Sequence, residues 1–139
     1  MTEINPSTVR AYRETDYCVD APEPFVLRVG VASASLAQLY RRHDMNCCAF
    51  ITACNPYSRI IGDDANAARQ LELARELHAL GLTFFDSVGR HPAGNWPAES
   101  GYLVLGLPLA TAKTLGEEFE QNAILWCGSK ATPELILLR

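Results

Sequence analysis

The sequence predicts an α+β fold in which two helices lie on one face of an antiparallel sheet. Three observations predict it: nearly continuous apolar runs of strand length, two stretches with helical periodicity and helix-end residues, and their order along the chain. From Cys48 to Trp126 the order is strand, helix, strand, strand, helix, strand, as in a ferredoxin-like βαββαβ unit. We therefore expect such a core over about residues 48–127.

Length and composition indicate one globular domain over residues 1–139. A chain of 139 residues is long enough to bury a core without disulfides or a structural metal. The hydrophobic fraction of 48% and the charged fraction of 20% are ordinary for globular proteins and argue against a disordered or fibrous chain. The formal net charge of -4 gives no global basic field, so bulk binding to nucleic acid is not expected.

Targeting signals and cysteine usage indicate a cytoplasmic protein. The first residues lack a basic region followed by an apolar stretch, and no later apolar run approaches the roughly 20 residues that span a membrane. The five cysteines are odd in number and include no paired C-x-x-C motifs, so we expect neither a secreted disulfide framework nor a metal site. Cys48, Cys54 and Cys127 lie in apolar runs and are predicted to pack in the core. No cofactor is expected.

The segment before the core is predicted to add strands and one short helix. The opening segment to about Ala21 and the run 25–29 are interpreted as two short strands joined by a turn at Pro22-Glu23-Pro24. Ser33 or Ser35 then caps a short helix, whose buried face and basic last turn are formed by Leu36, Leu39, Tyr40, Arg41, Arg42 and His43. These strands and the last strand of the chain would extend the sheet or cover its open face.

The elements of the core follow from apolar runs and helix-end signals. Strands are predicted at 48–54, 82–85, 102–105 and 123–126, helices at about 63–80 and 110–120, and a last strand at 134–138. In the first of these helices Asp63 or Asp64 caps the start, Gly81 follows the end, and the buried stripe is Leu71, Ala74 and Leu77. A loop rich in Gly and Pro, at about 89–99, is a candidate lid or site wall.

Polar residues follow the first core strand and begin the helix after it. Asn55 and Ser58 lie directly after the strand, and Asn66 and Arg69 lie three apart in the first helical turns, near free backbone amides. A guanidinium beside such amides can hold an anion. The alternative is structural: Asn66 assists the cap and Arg69 pairs with Glu72.

A second polar group closes the loop and enters the next strand. Trp96 offers a ring for stacking, Glu99 an acid or base, and Ser100 a hydroxyl. These three suit a planar ligand, with Glu99 as the catalytic group if chemistry occurs. The alternative is that Trp96 covers the core and Glu99 solvates a turn.

A third group lies where the second core helix ends. Asn122 can adopt the left-handed conformation that ends helices, which gives it a structural explanation. Gln121 has no such requirement and is predicted to contribute to ligand binding, although a glutamine at a helix end is commonly just exposed. Taken together, the three polar groups indicate a site at one edge of the sheet.

The same motifs resemble a known family. They are the run from Ala49 to Ser58, Asn66 with Arg69, Trp96-Pro97-Ala98-Glu99-Ser100, Phe119 to Trp126, and the closing Leu137-Leu138-Arg139. In this order they resemble the bacterial family DUF3293, a domain of unknown function, over about residues 48–139. The resemblance implies that seven residues match the family's polar positions and share one pocket: Asn55, Ser58, Asn66, Arg69, Glu99, Gln121 and Asn122. Cys54 and Gly101-Tyr102 depart from the family's pattern.

The leading functional hypothesis is a polar pocket for a small anionic or nucleotide-like ligand. In this interpretation Arg69 counters the ligand's charge, amide side chains read its hydrogen bonds, and Trp96 packs over it. Two rival hypotheses remain open: a protein-binding or regulatory module that offers a sheet edge or loop to a partner protein, and a nucleotide-directed hydrolase or transferase that uses Glu99.

Overall fold

The computed structural model describes residues 4–94 and 96–139, which form a mixed α+β structure of four helices and a curled seven-stranded sheet. The elements in chain order are α1 (Pro6–Glu14), β1 (Asp16–Val19), β2 (Phe25–Leu27), α2 (Ala34–His43), β3 (Cys48–Ile51), α3 (Asp63–Ala79), β4 (Phe84–Arg90), β5 (Glu99–Leu105), α4 (Leu109–Glu118), β6 (Ala123–Cys127) and β7 (Pro133–Leu137). Residues 1–3 of the predicted opening strand and Asn95 of the predicted loop lie outside the described residues.

The sheet has the strand order β2-β1-β4-β5-β3-β6-β7, and each neighbouring pair is antiparallel. The four strands expected in the core are adjacent, in the order β4-β5-β3-β6. The strands at the two ends of the chain extend this group, since β1 and β2 add beside β4 and β7 adds beside β6. The expectation that the outer strands extend the sheet is therefore confirmed.

Each face of the sheet packs against helices. On one face α3 and α4 contribute Leu73, Leu77 and Leu115 to a core that includes Ala49 and Ile51 of β3. On the other face α2 covers a second core, built from Leu36, Leu39, Tyr40, Cys48, Phe50, Leu103 and Cys127 among others. All four residues of β3 are buried, as its continuous apolar run predicts for a strand covered on both faces. The predicted core cysteines, Cys48, Cys54 and Cys127, are also buried.

The helix α1 was not predicted, because the opening segment was interpreted as a strand. Asn5 caps this helix: its side chain accepts a hydrogen bond from the Ser7 backbone N–H at 2.9 Å, and Pro6 occupies the first turn. The strand that was expected here is limited to β1 (residues 16–19). By contrast, the short helix α2 begins after Ser33, whose hydroxyl caps it, and ends in the predicted basic turn.

The buried stripe predicted for α3 was wrong for two of its three residues. Gln70, Leu73 and Leu77 face the sheet, whereas Leu71 is 53% exposed and Ala74 is only partly buried. The apolar pattern did not predict this buried face, because Gln70 is polar yet buried. Its Oε1 accepts a hydrogen bond from the Ala53 backbone N–H at 2.6 Å. The helix begins after Gly62, and both predicted capping aspartates lie in its first turn.

Two strands are longer than predicted, which shortens the loop between them. β4 runs from residue 84 to residue 90 and β5 begins at Glu99, because Gly89 pairs with Glu99 across the hairpin. The connecting loop is therefore 91–98 rather than 89–99, and Glu99 is a strand residue. The predicted bounds of α4, β6 and β7 differ from the observed ones by one or two residues.

None of the helices in the described part of the chain combines the length and the hydropathy needed to cross a membrane.

Candidate functional site

A pocket lies at one end of the sheet, between α1, the loop 91–98 and the segment that follows β3. Its volume is about 90 Å³. Five of the nine predicted site residues line it: Asn55, Ser58, Trp96, Glu99 and Gln121. The other lining residues come from α1, the strands, the segment after β3 and the loop 91–98, and they are Thr8, Ala11, Tyr12, Thr15, Tyr17, Phe50, Thr52, Ile60, Gly89, His91, Pro97, Ala123, Ile124, Leu125 and Leu135. Residues from all three predicted polar groups therefore line one pocket, whereas Asn66, Arg69, Ser100 and Asn122 do not.

The segment after β3 reaches the pocket through an unusual backbone conformation. Asn55, Tyr57 and Ser58 all have positive φ, at 46°, 53° and 61°. Such conformations are uncommon for residues other than glycine and persist only where surrounding contacts hold them. Here the Tyr57 backbone N–H donates to the Glu120 carbonyl at 2.7 Å, and the Ser58 N–H donates to the Asn55 carbonyl at 2.8 Å. The contacts hold the side chains of Asn55 and Ser58 at the pocket.

Glu99 places a carboxyl in this pocket at the first residue of β5. Its Oε2 accepts a hydrogen bond from Asn55 Nδ2 at 2.7 Å. Burial raises the pKa of the Glu99 carboxyl above its ordinary value, and the hydrogen bond from Asn55 partly opposes that rise. Among the described residues, no donor forms a hydrogen bond with the second oxygen, Oε1. The carboxyl thus keeps one acceptor for a further partner.

Asn55 is itself held by Asn66 of α3. The Asn66 Oδ1 atom accepts from the Asn55 backbone N–H at 2.8 Å, and its Nδ2 donates to Asn55 Oδ1 at 2.9 Å. Asn66 does not line the pocket. It fixes the orientation of the amide that holds Glu99, so its contribution to the site is to position Asn55.

Ser58 belongs to a separate hydrogen-bonded cluster, which joins α1 to the end of α4. Its Oγ lies 2.6 Å from the Tyr12 hydroxyl and accepts a hydrogen bond from Asn122 Nδ2 at 3.0 Å. Asn122 in turn accepts from Arg139 Nη1 at 3.1 Å, so it lies behind Ser58 rather than in the pocket. Tyr12 was missed by the sequence analysis because it lies on the helix that was interpreted as a strand.

The Arg69 guanidinium is occupied by protein acceptors. Its Nε donates to the Ala53 carbonyl at 2.7 Å, its Nη2 to the Phe119 carbonyl, and its Nη1 lies 3.5 Å from Glu120 Oε1. The acidic partner is therefore Glu120 and not the alternative, Glu72. Arg69 ties the end of β3 to the end of α4, and it does not line the pocket.

The remaining predicted residues divide between the pocket and its surroundings. Gln121 is buried, and its Nε2 donates to the carbonyls of Cys54 and Phe119 at 3.0 and 3.1 Å, so its amide holds the loop at the pocket floor. Trp96 lines the entrance and is 41% exposed. The side chain of Ser100 is exposed and lies outside the lining, although its carbonyl accepts from the Thr52 hydroxyl at 2.6 Å.

A match to a known family covers this site. The family model described as a protein of unknown function, DUF3293, matches residues 51–124. The chain belongs to the DUF3293 family. No curated protein and no solved structure matches the chain. All nine predicted site residues fall inside the DUF3293 match, whereas Tyr12, Tyr17 and the rest of the α1 wall lie outside it.

The charges of the pocket in this DUF3293 chain are few. Glu99 and His91 are its ionisable residues apart from the tyrosines, and no lysine or arginine occurs among the described lining residues. His91 Nε2 lies 3.8 Å from Glu14 Oε1, and its Nδ1 accepts from the Ala93 N–H at 3.3 Å. Among the described residues, no group of three or more His, Cys, Asp or Glu side chains could hold a metal ion. The arrangement can accept hydrogen bonds and exchange a proton.

Proposed function

We propose that this protein binds a small organic molecule in the pocket between α1 and the end of the sheet. The observation that carries the proposal is the Glu99 carboxyl, with Oε2 held by Asn55 and Oε1 accepting no hydrogen bond from the described residues. None of the described side-chain nitrogen or oxygen atoms that are closed off from solvent lacks a hydrogen-bond partner, so Oε1 is open to the pocket. A ligand donor that enters the pocket can therefore bond to Oε1.

The way the pocket is held also supports ligand binding. Two amide side chains in series fix the carboxyl: Asn66 orients Asn55, and Asn55 orients Glu99. The positive φ values at Asn55 and Ser58 add strain of about 1–3 kcal/mol each, a cost that is typical of binding and catalytic sites. Such a rigid arrangement lowers the entropy lost when a ligand binds.

The sequence indicated an anionic or nucleotide-like ligand, and the contacts support only part of that hypothesis. The Trp96 ring supports a planar ligand, since it lines the entrance. Arg69, which was expected to counter a negative charge, donates instead to Ala53, Phe119 and Glu120. We therefore propose a planar or apolar ligand that donates a hydrogen bond to Glu99, with Arg69 as a structural residue beneath the loop.

A second candidate function is an enzyme that uses Glu99 as a general acid or base, including the nucleotide-directed hydrolase or transferase. Its support is the raised pKa of Glu99, because a carboxyl that keeps its proton nearer neutral pH is suited to proton transfer. Turnover that disappears in Glu99→Gln while binding persists would favour this candidate.

A third candidate function is a protein-binding module. Its support is β7, which has a single strand neighbour and a 44% exposed Leu137.

We also propose a ferredoxin-like assignment for the core and a cytoplasmic location. The strand order β4-β5-β3-β6, antiparallel throughout, and the packing of α3 and α4 on one face support the assignment. Five cysteines without a disulfide among them support a reducing compartment.

The test of ligand binding uses the two tryptophans of the chain. Trp96 lines the pocket, whereas the Trp126 indole donates to the Leu107 carbonyl at 3.0 Å elsewhere in the fold. A library of small fragments is screened by NMR, and we expect binders to shift the Trp96 indole resonance while the Trp126 resonance stays in place.

A pair of matched variants provides the control. Thr8→Phe fills the pocket from α1, and Thr114→Phe places the same ring on the exposed face of α4. The first variant should abolish the Trp96 shifts and the second should preserve them. Binders that shift Trp96 equally in both variants, or a library without any binder, would overturn the proposed function.

A further inference from the structure

Four aromatic side chains line the same pocket as the Glu99 carboxyl. Tyr12, Tyr17, Phe50 and Trp96 all line the pocket that contains Glu99. Two of the rings are fixed by their hydroxyls, since Tyr17 donates to the Tyr12 carbonyl at 2.8 Å and Tyr12 lies 2.6 Å from Ser58 Oγ. Tyr17 also packs edge to face on Phe50, with ring centroids 4.9 Å apart. The rings are therefore positioned before a ligand arrives.

Aromatic rings beside a carboxylate are the chemistry that recognises a cation. The ring faces carry partial negative charge and attract ammonium groups, and the attraction strengthens when water is excluded. The described lining residues include no lysine or arginine to occupy these rings or to pair with Glu99. An anionic ligand would meet the Glu99 carboxylate without a compensating cation.

We propose that the ligand of this pocket is a small protonated amine on an apolar body, with its N–H donors directed at Glu99 Oε1 and its charge among the aromatic rings. The inference rests on the proposed function, because it names the class of molecule that the same pocket binds. The apolar body is accommodated by side chains such as Ala11, Leu125 and Leu135, which line the rest of the pocket.

The electrostatics of the pocket agree with this ligand class. Burial raises the pKa of Glu99, so the carboxylate form is disfavoured until a positive charge compensates it. The titratable groups around it are Tyr12 of α1, Tyr17 of β1, Cys54 of the segment after β3, and His91 of the loop with its partner Glu14 of α1. None of these supplies a permanent positive charge to Glu99, so an ammonium ligand would be its only strong counterion in the described pocket.

The test compares three ligands of one shape and different charge: benzylamine, benzyl alcohol and benzoate. Their dissociation constants are measured by calorimetry with the wild type, Glu99→Gln and the control Glu117→Gln, which removes an exposed carboxylate of α4. We expect benzylamine to bind the wild type about tenfold more tightly than benzyl alcohol, since a hydrogen bond between two charged groups is stronger than one from a neutral hydroxyl. Benzoate should bind more weakly than either.

The variants separate this inference from the proposed function. Glu99→Gln should remove the preference for benzylamine, because the neutral amide no longer supplies a charged acceptor for an ammonium group. Trp96→Leu, a second variant in case Glu99→Gln folds poorly, should weaken benzylamine more than benzyl alcohol. Binding of benzyl alcohol or benzoate as tight as that of benzylamine would overturn the inference and leave the pocket's function standing. Absence of binding by benzylamine would overturn it as well.

Discussion

Single side chains decide how the site is built, and Arg69 shows this most clearly. Its residue type and position suggested an anion-binding group, yet its donors are used by Ala53, Phe119 and Glu120. The side chain therefore holds two segments of backbone together at the base of the pocket. Loss of the Arg69 side chain should therefore lower the stability of the fold and should not change which ligand charge the pocket prefers.

Arg69→Ala is expected to lower the free energy of unfolding by about 2–3 kcal/mol, because two backbone carbonyls lose a charged donor. Urea unfolding measures the change. Arg75→Ala on the same helix is the control: its side chain is exposed, and we expect a change within about 0.5 kcal/mol. Equal stability of the two variants would show that the Arg69 contacts contribute nothing.

Glu99 is expected to make stability depend on pH in a definite direction. Its pKa is raised in the folded state, so the folded protein holds a proton that the unfolded chain releases. Stability should fall as pH rises from the ordinary carboxyl range through the raised pKa. Thermal unfolding of the wild type and Glu99→Gln across this range measures the effect, and the variant should gain relative stability as pH increases. A constant difference between them would contradict the raised pKa.

The residues of the candidate site could be predicted to the extent that they lie at the ends of strands in the sequence. Asn55, Ser58 and Glu99 were identified because polar side chains at strand ends gather at one edge of a sheet. Tyr12 could not be identified in this way, since its partner Ser58 is 46 positions away and sequence separation carries no information on that distance. The supporting position of Asn66 behind Asn55 also depends on tertiary structure alone.

At the scale of elements, α4 approaches the sheet closely because of a glycine. A Cβ at Gly116 would lie 2.6 Å from Leu138 Cδ1 and 2.8 Å from Ile124 Cγ2, closer than real side chains pack. The helix therefore sits as near to β6 as its backbone allows. A glycine inside a predicted helix, such as Gly116, is a signal of close packing.

Gly116→Ala is expected to destabilise the protein by about 1–2 kcal/mol, because overpacking outweighs the better helix propensity of alanine. Chemical denaturation measures the change, with Lys113→Ala on the exposed face of the same helix as the control. Stabilisation by Gly116→Ala would mean that the side chains of Ile124 and Leu138 move aside at little cost.

The helices α3 and α4 also share a carboxyl pair. A hydrogen bond with Glu118 raises the pKa of Glu76 to about 7, with burial and the nearby charges of Glu118 and Glu72 as smaller causes. Stability should therefore fall as pH rises through this range, since the folded state holds the extra proton. Glu118→Gln should lower the pKa of Glu76, as NMR titration of its carboxyl would show, whereas Glu117→Gln should leave it in place.

Prediction of the elements succeeded where local signals agreed and failed where tertiary contacts decide. The caps and basic last turn of α2 gave its position closely. The start of α1 carried an equally clear signal in Asn5-Pro6, but the aromatic and β-branched residues after it favoured a strand. In α3 the buried face depends on Gln70, whose partner Ala53 belongs to another element, so the apolar stripe alone was right for Leu77 and wrong for Leu71.

On the scale of the whole molecule, the sheet brings together segments that are distant in sequence. The DUF3293 match supplies the carboxyl, the amides and the strained loop, and α1 before the match closes the pocket over them. The order of the elements was enough to place the strands of the core next to one another. The wall formed by α1 could not be anticipated, because nothing in the sequence indicates which face of the sheet an N-terminal helix covers.

The most direct test of the account is a crystal structure of the protein with the fragment that shifts the Trp96 indole most strongly. We expect the fragment between α1 and the sheet end, with a donor atom about 2.7–2.9 Å from Glu99 Oε1, Asn55 still bound to Oε2, and the Trp96 ring against the fragment. A fragment bound outside the pocket, or one inside it that makes no contact with Glu99, would contradict the central claim that this carboxyl recognises the ligand.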